Sequence, residues 1–173
     1  MRVRTLREKS LHTRNYFARL TRTTLHGIRR SADTALRDTE RAMSDKSAED
    51  LVRSGYDWFN REKEPPPTWL PDGEFVNARE DPDHATYRGI DAIRKQHDGW
   101  FESYPDLRVE PLEIRANGDR VFVWTRFTGH GADSGVAMEM ELAHVFTLED
   151  GHTRRLEEYF DRSEALAAVG LTE

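Results

Sequence analysis

Asp161 and His144 are the residues whose types and placement could move a proton. Asp161 stands in RRLEEYFDRSEALAAVGL (154–171), where a β-rich run gives way to a helical one. An aspartate at that junction has two uses. It can accept hydrogen bonds from free amides at a helix start, with Glu164 three residues on completing a capping-box-like pair. It can also sit at the mouth of a pocket as an acid or base, where a dry interior would raise its pKa toward neutrality. His144 shares the parity of Met138, Met140, Leu142 and Phe146, so it points to the most apolar face of its strand. A histidine so placed is more often a core residue with its hydrogen bonds satisfied. A hairpin turn nonetheless pairs its strand with the one that ends at Asp161, so an orienting histidine and a proton-transferring aspartate could meet across neighbouring strands.

The residues around them suggest an apolar wall. Tyr87, in TYRG, could donate a hydroxyl at a cavity rim. Trp100, Trp124, Met140 and Tyr159 supply bulk of the kind that lines a site for a flat hydrophobic molecule, although each one singly is more often ordinary core. His97 falls on a helical apolar face beside Trp100 and reads as packed core with one hydrogen bond. Glu139, Glu141, Glu157 and Glu158 read mostly as a solvated face. Other chemistries fail on spacing. GHGADSG (129–135) lies between two strands and lacks the spacing and following helix of a dinucleotide fingerprint. No phosphate-binding G-x-x-x-x-G-K-[ST] occurs, and Ser134 is not in a nucleophile elbow. His84, His130 and His152 are scattered without metal-ligand spacing, and the chain has no cysteine, so neither a metal nor any other cofactor is expected.

The elements that must position these residues are legible. SAEDLVRSGYDWFN starts with Ser47 and Asp50 in capping-box spacing and carries Leu51, Val52, Gly55, Tyr56 and Phe59 along one helical stripe. EKEPPPTWLPDGEF is a connection leading to a short strand around Phe75 and Val76. Ile90, Ile93, His97, Trp100, Phe101 and Tyr104 define a second helix, stopped by Pro105. Asn117-Gly118 and Asp150-Gly151 then mark hairpin turns in a four-strand antiparallel meander, at approximately 107–115, 120–130, 136–148 and 153–160. In its first strand Leu107 and Val109 share one parity while Leu112 and Ile114 share the other. A bulge or bend near Pro111 would restore a single buried face and curve the sheet. A last helix follows Asp161 and stops at Gly170. Helices followed by a bent antiparallel sheet make an α+β fold, a curved mostly antiparallel sheet covered on one face by helices and enclosing a pocket.

The 173 residues suit one domain. Residues 1–42 carry 11 Lys+Arg against 4 Asp+Glu, a balance of +7, which leaves −13 of the whole-chain −6 for residues 43–173. The first 42 residues therefore read as a basic, flexible or weakly helical arm and residues 43–173 as the folded domain. Nucleic-acid or anionic-membrane contact by the arm is the weaker alternative, and Met43 is a plausible start for a domain whose upstream start is mis-assigned. Without a long apolar run or a secretory-type segment the protein is expected in the cytoplasm.

DPDHATYRGIDAIRKQ, GWFESYPDLRVEPLEI and MELAHVFTLEDGHTRRLEEYFDRSEALAAVGL together resemble the SnoaL-like branch of the nuclear transport factor 2-like superfamily, across residues 47–171. The resemblance implies a cone-shaped α+β fold, a homodimer, and activities of the polyketide cyclase and ketosteroid isomerase kind. It matches Asp161 to the acid/base position of the cyclases. Two readings follow. One is a cofactor-independent isomerase, cyclase, dehydratase or hydrolase acting on a hydrophobic small molecule, with Asp161 and His144 catalytic. The other is a ligand-binding or dimerisation module without chemistry.

Overall fold

The computed structural model describes residue 34 and residues 37–41 and 43–173; the basic arm lies almost wholly outside the described residues. Residues 43–173 form a compact unit. Helix α1 (43–62) is followed by β1 (Trp69–Val76), β2 (Thr86–Arg88), α2 (Ile90–Ser103), β3 (Arg108–Asn117), β4 (Arg120–His130), β5 (Ala137–Glu149), β6 (His152–Tyr159) and α3 (Arg162–Ala168). The six strands make one curved sheet in the order β2-β1-β6-β5-β4-β3. The meander β3 to β6 is antiparallel throughout, whereas β1 joins β6 in parallel and carries β2 at the edge. The α+β class is as expected, with β2 and the parallel β1–β6 pairing as additions. A three-residue strand gives too little pattern to read, and the β1–β6 partnership spans most of the domain.

Turn chemistry sets the register. Asp150 and Gly151 both have positive φ, 49° and 72°, the requirement of a two-residue type I′ hairpin. In β3 the pairing slips between Pro111 and Glu113, so that Pro111 faces Thr125 and Glu113 faces Trp124. Leu112 is the extra residue. The bulge returns Ile114 and Ala116 to the face used by Val109, which resolves the parity switch in the sequence.

Two apolar clusters use opposite faces of the sheet. On the inner face Val109, Val121, Val123, Phe127, Leu142, Phe146, Leu156 and Phe75 meet Val52, Tyr56 and Phe59 of α1 and Ile93 of α2. On the other face Phe122, Ala143 and Val145 meet Ala165, Leu166 and Val169, the apolar side of α3. Helix α1 also completes the β3 edge. Asn60 bonds both backbone groups of Val109, with Nδ2 donating to its carbonyl at 2.7 Å and Oδ1 accepting its N–H at 2.9 Å. Glu49 accepts from Ala116 N–H and Asp45 from Gly118 N–H. Side chains of α1 thus satisfy an edge that would otherwise expose unpaired amides.

Candidate functional site

Between α1, α2 and the inner face of the sheet lies a cavity of about 50 Å³, walled by Tyr56, Phe59, Trp69, Phe75, His97, Trp100, Phe127, His144 and Phe146, with Leu51, Gly55, Pro66 and Thr68 at one side. At about 10–15 Å³ for the centre of each water, it holds about four waters, or one compact group of similar size. Ring contacts run continuously around it. Tyr56 meets Phe146 and Phe127 meets His144 edge-on, Trp100 meets Phe127 and Phe75 edge-on, and Phe59 and Phe75 each meet His97 edge-on. His97 stacks on Trp100 and Tyr56 on His144.

Two polar groups of the wall, Tyr56 and His144, begin a line that continues to Glu158, outside the lining. The Tyr56 hydroxyl lies 2.7 Å from His144 Nδ1, and His144 Nε2 lies 3.5 Å from Glu158 Oε1. The second distance is within ion-pair reach but makes no hydrogen bond. All three residues are buried. Burial, and then the charge of Glu158, holds the Tyr56 hydroxyl well above its ordinary pKa of 10.0. Tyr56 therefore keeps its proton at neutral pH and donates to Nδ1, which leaves Nε2 as the nitrogen that presents its N–H to Glu158. Across the cavity, burial and then the charge of His144 push His97 down to about 3. His97 is a neutral imidazole at pH 7, and its Nδ1 has no hydrogen-bond partner.

His144 and Trp100 line the cavity as the parity and helical spacing imply. The other residues singled out lie elsewhere. Asp161 is exposed at the start of α3, where its carboxylate accepts from Ser163 Oγ at 2.5 Å and from Glu164 N–H at 3.0 Å. Those two bonds, the serine's first, hold its pKa below the ordinary aspartate value, the reverse of the rise that a dry pocket would cause. The expected approach of His144 to Asp161 is corrected by the register, which sets His144 opposite Glu158. Trp124 and Tyr159 pack against the α3 cluster on the other face of the sheet, and the Trp124 indole donates to Glu141. Met140 shares the face of His144 but is 39% exposed near the start of β5. Tyr87 packs against the inner cluster beside Phe75 without reaching the cavity wall.

The residues that sequence reasoning missed are Tyr56, as a polar partner, and Glu158. Glu158 shares the parity of the buried Leu156, which is the signal that could have removed it from a solvated face. The hydroxyl of Tyr56 meets a residue 88 positions away, and no local pattern announces that. Among the described residues no three His, Asp or Glu side chains converge to hold a metal ion. No helix there is long and apolar enough to cross a membrane.

A curved sheet roofed by two helices around a small aromatic cavity is the cone of the nuclear transport factor 2-like class. The chain belongs to the SnoaL-like family, whose domain it matches over residues 67–156. Solved structures share the fold. A protein of Jannaschia sp. CCS1 assigned as a SnoaL-like polyketide cyclase is 20% identical, with 75% of this chain and 96% of that one aligned at a TM-score of 0.57. An NTF2-like protein of unknown function from Burkholderia pseudomallei is 20% identical over 72% and 98%, at 0.54. AclR from Streptomyces galilaeus, assigned as a hydroxylase, is 18% identical over 73% and 98%, at 0.55. No curated protein matches the chain.

Proposed function

We propose that the domain is a small-molecule enzyme of the cofactor-independent acid/base type, acting on a compact molecule with a hydrophobic exterior held in the cone, with His144 as the proton-handling group. The observation that carries this reading is the buried line Tyr56, His144, Glu158, whose first two members stand in the wall of an aromatic cavity. An imidazole held between a hydroxyl donor and a carboxylate is oriented and electrostatically supported, as a general base must be. A substrate proton reaches His144 through Tyr56, whose hydroxyl takes it while passing its own proton to Nδ1, and Glu158 stabilises the imidazolium that forms. Isomerisation, cyclisation and dehydration all begin with such a transfer.

The test is proton exchange. Small ketones and alcohols with exchangeable C–H bonds are incubated with the protein in heavy water and followed by NMR. Exchange with the wild type that falls at least about 100-fold in His144→Gln, the usual scale of a lost general base, supports the reading. Exchange that survives the substitution rejects it. Binding of the same probes without exchange would instead favour a ligand-binding module, a reading supported by the exposed, capping position of Asp161. A homodimer is proposed on the family likeness, and sedimentation showing only monomer at micromolar concentration would reject it.

A further inference from the structure

We infer that the compact group held in the cone is a methylated or otherwise alkylated ammonium, recognised by the aromatic wall and by the buried carboxylate of Glu158. This rests on the reading of the cavity as a small-molecule site and adds its charge. The wall contains no lysine or arginine, so nothing there compensates an anion. It is lined by the rings of Tyr56, Phe59, Trp69, Phe75, Trp100 and Phe127, and aromatic rings attract a cation with a greasy exterior. Burial keeps His97 neutral at pH 7, so the residues that α2 contributes to the lining, His97 and Trp100, add no positive charge.

Glu158 gives the argument its direction. It is the one carboxylate among the buried described residues, and the one side chain in ion-pair reach of it among those residues is His144, at 3.5 Å. A carboxylate held by so few donors gains from a nearby positive charge. Size agrees as well. Room for about four waters matches the four heavy atoms of a trimethylammonium head, and any longer chain would leave past Leu51 and Thr68, the partly exposed residues at the α1 side of the lining.

The experiment compares choline with its uncharged carbon isostere, 3,3-dimethylbutan-1-ol, on the full chain at pH 7.5. Calorimetry gives affinity, and NMR of the imidazole C–H signals of His97 and His144 reports where each probe sits. Choline is expected to shift both histidines and to bind about tenfold or more tighter than the isostere, and Glu158→Gln to lower its affinity toward that of the isostere. An isostere that shifts the same histidines and binds as tightly as choline overturns the charge assignment and leaves the small-molecule reading standing. If neither probe moves His97 or His144, both fall. A choline preference undiminished in a folded Glu158→Gln variant overturns the role of Glu158. The wild-type comparison decides the proposal even where that variant fails to fold.

Discussion

The Tyr56 hydroxyl and His144 Nδ1, 88 residues apart in sequence and 2.7 Å apart in space, join α1 to the middle of the sheet through one buried hydrogen bond. The bond sets which nitrogen of His144 carries its proton, so a helix facing the sheet decides what the sheet's histidine presents to Glu158.

Tyr56→Phe keeps the ring and removes that donor. His144 Nδ1 is then left buried without a partner, a condition that costs about 1–3 kcal/mol. Urea denaturation should show this loss with an unchanged m-value, because the surface exposed on unfolding is the same. A variant as stable as the wild type would mean that the hydrogen bond is not maintained in solution.

His97 predicts a pH dependence of stability. Its pKa is about 3 in the folded protein against 6.5 for an ordinary histidine, so between those limits the unfolded chain binds more protons. The stabilisation is fully present above about pH 6.5 and is lost as pH falls toward 3, with a slope approaching about 1.4 kcal/mol per pH unit for this one group. Urea midpoints at pH 7.0 and 5.5 should fall apart in the wild type and lie closer together in His97→Phe. Parallel behaviour of the two proteins would contradict the burial of a neutral imidazole.

Asp161 offers a discrimination between capping and catalysis. Asp161→Asn retains an acceptor for the Glu164 amide, so thermal denaturation should change little, while Asp161→Ala should melt at lower temperature. Proton exchange on the ketone probes should be the same in Asp161→Asn as in the wild type. Its loss in that variant would return the aspartate to the chemistry.

Phe122 is fully buried between the sheet and α3, and the Arg162 guanidinium lies over its ring, 5.3 Å from the centroid. Phe122→Ala should cost about 3–5 kcal/mol, the usual range for such a truncation. Guanidinium unfolding measures it, and a cost below 1 kcal/mol would show that α3 does not depend on this contact.

Much of this architecture was legible because its signals are local. Asp150-Gly151 and Asn117-Gly118 declare hairpins, the alternation in β4 and β5 declares a two-faced sheet, and the parity break at Pro111 declares its bend. The site was legible only in part. His144 and Trp100 follow from periodicity, but which face of a strand lines a cavity depends on where helices land. Trp124 and Tyr159 are aromatic enough for a wall and yet stand on the face that α3 covers. Glu158 was hidden by the general rule that carboxylates face water, which fails where a histidine waits on the neighbouring strand.

Leu112, the extra residue of the β3 bulge, is 40% exposed, and the pairing on both sides of it alternates regularly. Removing its codon would leave Val109, Ile114 and Ala116 facing inward as they do now and take away only the kink. The depth of the hollow and the facing of its walls are therefore under separate genetic control, so a lineage or an engineer could resize the chamber by a single in-frame deletion without redrawing the residues that line it.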